Sequence, residues 1–200
     1  MGVPAEYFNM NYGAPRLSKR FGVTEIDSIP IHDYLKALKQ RRTTPNGVFG
    51  VKIEARQFEP LIQANALPTH FFSAKIIFIS RKDVVAQGVS YEIAKQTRQW
   101  QASPDRREAV FDERKLRNSI DFITRSTAAW DKFFSANNIQ PYRVEYESLV
   151  AEPPRICSEI CRLVGVETNH VFTIEGPGFE RQRNAVNDDW IKHIKGMSEN

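Results

Sequence analysis

The sequence has little cysteine and no long apolar run. Cys157 and Cys161 are the two cysteines among 200 residues. They share one helical stripe with Ile160 and Val164, which is typical of reduced thiols packed as small hydrophobic groups. A metal site would need more soft ligands at useful spacing, so we expect no bound metal. No apolar stretch approaches the ~20 residues of a membrane-spanning helix, so we expect no membrane span.

The N-terminal residues M-G-V-P-A-E-Y-F carry neither a basic segment nor an apolar segment of the kind found in signal peptides. This absence favours the cytoplasm. Neither sign of charge is in large excess, because 28 basic and 24 acidic residues give a net charge of only +4. The excess favours an anionic ligand. The basic residues are dispersed, with short clusters only at 41–42 and 106–107, so we expect a small anion and no nucleic acid.

The composition is that of an ordinary globular protein, with 41% apolar and 26% charged residues. Two hundred residues fit one domain, so residues 1–200 are predicted to form a single domain. Helices are predicted near 31–41, 57–65, 113–137, 153–165 and 187–195, and strands at 48–53 and 142–146. Strands separated by helices indicate an α/β fold with a parallel sheet.

The most informative segment is residues 75–100. The apolar run Ile76–Ile79 predicts a parallel strand buried on both faces. After Arg81 a helical stripe begins and includes Val85, Val89 and Trp100, which predicts that Trp100 lies in the core. A helix that starts at the carboxyl edge of a parallel sheet offers free N–H groups to an anion. Arg81 and Ser90 would then form a phosphate site. A surface arginine and a solvated serine are the alternative.

Several motifs resemble those of the bacterial trehalose 2-sulfotransferase family. They are G-x-P-x-E-Y-F at residues 2–8, F-G-V-K at 49–52, R-x-D-x-x-x-Q-x-V-S at 81–90 with A-x-x-T-x-x-W at 94–100, Tyr146-Glu147 ahead of Leu149, and R-Q-x-x-x-x-x-N-x-x-W at residues 181–190. They occur in the order of the family and extend over nearly all of the chain. The resemblance implies a P-loop-like sulfotransferase fold, flanked by helices.

The resemblance also implies an activity, a donor and an acceptor. The donor would be 3′-phosphoadenosine-5′-phosphosulfate, and the acceptor a hydroxyl of a carbohydrate or glycolipid similar to trehalose. Glu6 takes the role of catalytic base. Burial beside Tyr7 and Phe8 would raise its pKa, whereas the residues alone also allow a solvated glutamate.

The same resemblance supplies the binding residues. Arg81 and Ser90 would bind the 3′-phosphate, Lys82 being a weaker candidate, and Arg181 and Arg183 would close over the nucleotide. Tyr7 and Lys52 are the predicted acceptor-binding residues. For Lys52, the position after an apolar strand favours contact with an anion or a sugar hydroxyl.

Sulfotransferases of this kind begin with a strand and a P-R-S-G-T-like loop that binds the 5′-phosphosulfate. No such loop occurs in this sequence. We therefore expect a chain truncated at its N-terminus relative to the family, with strands 48–51 and 76–79 beside the gap. Exposed strand edges would favour association, for example as a homodimer. An inactive relative that binds only the 3′-phosphoadenosine nucleotide is the alternative function.

Overall fold

The computed structural model describes residues 5–9, 30–100, 107–167 and 185–196. The chain forms two compact units, residues 1–75 with 164–166 and residues 76–163 with 167–200. Within the described residues, each unit has its own apolar core. No helix in these ranges is long and apolar enough to cross a membrane.

The described residues of the first unit form three helices, a turn at residues 5–9 and an extended segment before the second of these helices. Helices α1 (Ile31–Arg42), α2 (Ala55–Gln63) and α3 (Ala66–Phe71) surround a buried apolar cluster. The fully buried members of this cluster are Leu35, Leu38, Leu61 and Ala66. Tyr7 and Phe8 also lie in it, so the turn at residues 5–9 is anchored to the core by its own aromatic side chains.

The strand predicted at residues 48–53 does not form, and this prediction was wrong. The segment is extended, and the Lys52 amide donates to the Ala5 carbonyl at 3.0 Å without a strand ladder. Phe49, Val51 and Ile53 pack against the first core. Their alternation reflects an extended segment with one apolar side, which has the same period as a strand.

The second unit contains the parallel strand pair. Strand β1 (Ile77–Ser80) is followed by α4 (Val84–Thr97) and α5 (Glu113–Ala136) before strand β2 (Tyr142–Glu145). Helices α6 (Tyr146–Ala151), α7 (Pro153–Leu163) and α8 (Ala185–Gly196) follow. The strands pair in parallel, with Ile77 opposite Tyr142 and Ser80 opposite Glu145. The predicted α/β architecture with a parallel sheet is confirmed.

The apolar run of β1 had predicted a strand buried on both faces, and this prediction was wrong. Phe78 is buried and packs edge-on against Phe134 at 5.4 Å. Ile79 is 56% exposed, whereas Ile77 on the same face is half-buried, so this face is only partly covered. Trp100 is 57% exposed and lies beyond the end of α4, so the core position predicted for it was also wrong. The helical stripe ends where Arg98 adopts a left-handed conformation, with φ of 58°.

Gly88 allows α4 and α5 to approach closely. A β-carbon at this position would lie 2.4 Å from the Ile120 Cγ1 atom and 3.3 Å from the Ile120 Cα atom. The second of these atoms belongs to the α5 backbone, so a repositioned side chain alone would not make room. The absence of a side chain at residue 88 therefore fixes the distance between the two helices.

We expect Gly88→Ala to destabilise the second unit by about 1–3 kcal/mol, because extra volume in a close-packed interface forces the helices apart. Thermal unfolding measures this loss. Gly196→Ala is the control, since nothing lies within 4 Å of a β-carbon at that position. Equal melting temperatures for the two variants would contradict this account of the interface.

A buried carboxylate also joins α4 to α5. Glu92 is 1% exposed and accepts hydrogen bonds from the Ser119 hydroxyl at 2.5 Å and the Lys95 ammonium at 3.0 Å. Burial by itself raises the pKa of Glu92, but the bonds from Ser119 and Lys95 outweigh it and lower the pKa. The carboxylate is therefore ionised and paired, as a buried charge must be.

Candidate active site

Glu6 lies at the centre of a polar cluster in the first unit. Its Oε1 atom is 2.8 Å from the Lys52 ammonium. Its Oε2 atom accepts from the Asn9 amide at 2.9 Å and from the Gln57 amide at 3.4 Å. We call these four residues, Glu6, Asn9, Lys52 and Gln57, the Glu6 cluster. The Glu6 side chain is 21% exposed, so its carboxylate is accessible to a ligand.

Local backbone structure positions each member of the Glu6 cluster. A tight turn, in which the Asn9 amide donates to the Glu6 carbonyl at 3.1 Å, returns the Asn9 side chain to the carboxylate. The bond from the Lys52 amide to Ala5 holds the extended segment beside this turn. Gln57 belongs to the first turn of α2, where its Oε1 atom accepts from the Glu54 amide at 3.3 Å. The same side-chain amide thus begins the helix and donates to Glu6.

The cluster holds Glu6 in its ionised form. Burial raises the pKa of Glu6, but the hydrogen bonds from Lys52 and Asn9 and the positive charge of Lys52 outweigh burial and lower the pKa below the usual 4.5. The expected rise in pKa was therefore wrong. A carboxylate has roughly four lone-pair positions, and donors among the described residues use three of them, which leaves a position at which Glu6 can accept from a hydroxyl within this part of the chain.

Tyr7 lies next to Glu6, yet its side chain belongs to the core. The ring is 3% exposed, and its hydroxyl accepts a hydrogen bond from the Arg42 guanidinium at 2.8 Å. The Tyr7 carbonyl accepts from the Tyr34 hydroxyl at 2.7 Å. These contacts fix the turn that carries Glu6. Contact between Tyr7 and an acceptor stays a prediction.

The second candidate site lies in the other unit, at the carboxyl ends of β1 and β2. We call residues 81–83, between β1 and α4, the Arg81 turn. The Arg81 guanidinium carbon lies 4.3 Å from the centroid of the Tyr146 ring, and its Nε atom lies 3.9 Å from Glu147 Oε1. This Nε atom is buried and has no hydrogen-bond partner among the described residues.

The remaining residues of the Arg81 turn have defined partners. The Lys82 ammonium lies 2.8 Å from Glu145 Oε2, and the Lys82 side chain is 67% exposed. Asp83 begins α4, where its carboxylate accepts from the Ala86 amide at 2.9 Å. Because an aspartate already holds the first turn of α4, the helix N-terminus by itself does not define an anion site.

Ser90 lies on α4 and is partly buried. Within the described residues, no hydrogen bond joins it to Arg81, so their joint contact with a phosphate stays a prediction. Arg181 and Arg183 lie outside the described residues.

Sequence patterns did not reveal every polar contact of these sites. Asn9 and Gln57 were not expected near Glu6, although the Glu54-x-x-Gln57 spacing is that of a helix-capping pair. A second contact that the sequence did not predict lies in the first unit, where His32 Nδ1 and His70 Nε2 are 3.0 Å apart. Their separation along the chain had suggested no such pairing. The described residues contain no group of three or more side chains suited to a metal ion.

The fold and the sites together define an α/β protein with two features. One is an arginine at the carboxyl edge of a parallel strand pair, and the other is an ionised, accessible carboxylate. The chain belongs to the Stf0 sulphotransferase family, whose model matches residues 2–196. This confirms the family resemblance drawn from the motifs.

Two trehalose 2-sulfotransferases are similar to this chain. The trehalose 2-sulfotransferase of Mycolicibacterium smegmatis is 27% identical over 180 residues, which cover 82% of this chain and 65% of the relative. The trehalose 2-sulfotransferase of Mycobacterium tuberculosis is 28% identical over 169 residues, which cover 76% of this chain and 62% of the relative. The chain thus spans less than two thirds of the length of either protein.

Proposed function

We propose that this chain is a sulfotransferase that transfers a sulfuryl group from 3′-phosphoadenosine-5′-phosphosulfate to a hydroxyl of trehalose or a similar carbohydrate. The observation that carries this proposal is the Glu6 carboxylate, which the cluster holds ionised and which is partly exposed. It lies in a chain that matches the sulphotransferase family from residue 2 to residue 196. The names of the two relatives support trehalose as acceptor.

The reaction requires one bond to form and one to break. The acceptor oxygen attacks the sulfur atom, the bond between sulfur and the 5′-phosphate oxygen breaks, and 3′-phosphoadenosine-5′-phosphate leaves. Glu6 receives the proton of the acceptor hydroxyl as that oxygen bonds to sulfur, which is general base catalysis. Lys52 keeps Glu6 ionised before the reaction, and an incoming hydroxyl can also reach its exposed ammonium.

The donor nucleotide is bound mainly through charge. Arg81 pairs with the 3′-phosphate, because a guanidinium forms strong, directional hydrogen bonds to phosphate oxygens. Ser90 adds a hydroxyl, and Arg181 and Arg183 supply further positive charge. We also propose that the acceptor can be a glycolipid, that the protein is located in the cytoplasm and that it forms a homodimer.

We propose position 2 of the sugar as the site of transfer, because both relatives are named trehalose 2-sulfotransferase, and mass spectrometry of the products tests this position. Trehalose incubated with the chain and the donor should gain one sulfate, whereas an analogue without hydroxyls at position 2 of both rings should gain none. Equal sulfation of the two sugars would contradict transfer to position 2. Sulfation of other disaccharides with trehalose unmodified would contradict the proposed acceptor class.

We expect Lys52→Met to move the acidic limb of the pH profile of kcat/KM to higher pH. Glu6 must be deprotonated to act as base, and Lys52 is the main group that lowers its pKa. Without Lys52 the effect of burial is less opposed, so the pKa of Glu6 rises and activity is lost at a higher pH as the solution is acidified. Lys36→Met removes an exposed lysine of α1 and should leave the profile unchanged. An unshifted acidic limb in Lys52→Met would show that Lys52 does not control Glu6.

A further inference from the structure

Residues Tyr146 and Glu147 meet the Arg81 turn because of the strand register. Ser80 pairs with Glu145 at the carboxyl ends of β1 and β2, so the residues that follow the two strands are neighbours. Arg81 thus lies over the Tyr146 ring, at 4.3 Å from its centroid. The roles assigned above to Arg81 and Glu6 do not account for the Tyr146-Glu147 pair.

Glu147 binds the backbone of the Arg81 turn. Its Oε2 atom accepts from the Lys82 amide at 3.2 Å. The neighbouring Asp83 amide helps to lower the pKa of this carboxylate. A backbone N–H group of the turn therefore binds a side chain from the neighbouring strand end, which holds the turn against the end of β2.

The Glu147 carboxylate does not occupy the donors of Arg81. The distance of 3.9 Å between Arg81 Nε and Glu147 Oε1 is that of an ion pair without a hydrogen bond. Glu147 attracts the guanidinium, and Tyr146 supports its face by a cation–π contact. The four N–H bonds at the end of the guanidinium are not used by Glu147, and these are the groups that bind a phosphate.

We propose that Glu147 and Tyr146 are positioning residues, which hold Arg81 in the orientation that recognises the 3′-phosphate of the nucleotide. This inference rests on the proposed function, since it concerns the same donor site. Glu147 fixes the turn by accepting from the Lys82 amide, and Tyr146 fixes the plane of the guanidinium. Neither residue contacts the nucleotide in this account.

The first test measures binding of 3′-phosphoadenosine-5′-phosphate and of adenosine-5′-phosphate by calorimetry. We expect Glu147→Gln to lower the preference for the 3′-phosphorylated nucleotide by about tenfold, because a misplaced donor loses most of its phosphate hydrogen bonds. Glu145→Gln is the matched control: it also removes a carboxylate at the end of β2, but one that pairs with the exposed Lys82 ammonium. It should change the preference by less than about twofold.

Variants of Tyr146 separate the ring from the hydroxyl. Tyr146→Phe retains the ring face and should keep the preference, whereas Tyr146→Leu should lower it by about threefold, the value of an exposed cation–π contact. A purely structural role would instead weaken both nucleotides equally and lower the melting temperature. Tighter binding of the 3′-phosphorylated nucleotide by Glu147→Gln would also overturn the inference, since Glu147 would then be a competing anion.

Amide hydrogen exchange tests the inference without any nucleotide. In Glu147→Gln, the Lys82 amide should exchange about tenfold faster than in the wild type, with no such change in Glu145→Gln. Unchanged exchange at the Lys82 amide would overturn the role of Glu147. A wild-type chain that binds both nucleotides equally would instead contradict the proposed nucleotide site, even if the exchange result holds.

Discussion

Glu6→Gln is expected to lower the rate of sulfuryl transfer by about 10²–10⁴-fold, which is the usual contribution of a positioned general base. Glutamine keeps the size of the side chain and still accepts from Lys52, but it cannot take a proton from the acceptor hydroxyl. Substrate binding should therefore change little. The measurement is the turnover rate at saturating donor and trehalose, together with nucleotide affinity.

The control for this prediction is Glu59→Gln, which alters an exposed glutamate of α2 in the same unit. It should retain the wild-type rate. A Glu6→Gln variant with more than a tenth of the wild-type turnover would show that another group accepts the proton. Loss of nucleotide affinity in parallel with turnover would point to a structural role for the Glu6 cluster.

Arg81→Ala should weaken binding of 3′-phosphoadenosine-5′-phosphate by roughly 1.5–3 kcal/mol, the range for a hydrogen bond to a charged group. This corresponds to a loss of about ten- to a hundredfold or slightly more. Binding of adenosine-5′-phosphate should change little, because it lacks the phosphate that Arg81 contacts. Calorimetry with both nucleotides measures the difference.

Arg125→Ala provides the matched control, since it removes an exposed arginine from α5 and changes the net charge by the same amount. Its effect on either nucleotide should be small, because exposed charges are screened by salt. If Arg81→Ala weakens both nucleotides equally, the assignment of Arg81 to the 3′-phosphate is wrong.

Much of the fold was predictable because local patterns determine it. The predicted helices at 31–41, 113–137 and 187–195 agree with α1, α5 and α8 to within about two residues. The strand at 142–146 agrees with β2. These segments combine regular apolar spacing with clear end signals, such as the carboxylate of Asp112 that accepts from the Lys115 amide at the start of α5.

The errors arose where long-range contacts decide the outcome. An extended segment and a strand share the same apolar alternation, so residues 48–53 were predicted as a strand although the described structure contains no partner strand for them. The apolar run of β1 does not reveal whether a second layer covers Ile79. The buried pair formed by Glu92 and Ser119 depends on how α4 and α5 pack, which neither helix encodes alone.

Contacts between residues distant in sequence also limited what could be predicted about the candidate sites. Motifs indicated Glu6 and Arg81, but not the groups around them. The lowered pKa of Glu6 could not be predicted from residues near it in the sequence, because Lys52 and Gln57 are more than forty residues away along the chain. The contact between Arg81 and Tyr146 could not be predicted for a similar reason. It follows from the register of β1 and β2, which the sequence does not specify.

The most direct test of the central proposal measures transfer and binding in the same preparation. The chain is incubated with donor labelled in its sulfuryl group and with trehalose, while 3′-phosphoadenosine-5′-phosphate is titrated in parallel. We expect label in trehalose together with saturable nucleotide binding, and both should depend on the residues assigned above. Saturable binding with no label in trehalose or any other carbohydrate would contradict the proposal and identify the chain as a nucleotide-binding relative that does not transfer sulfate.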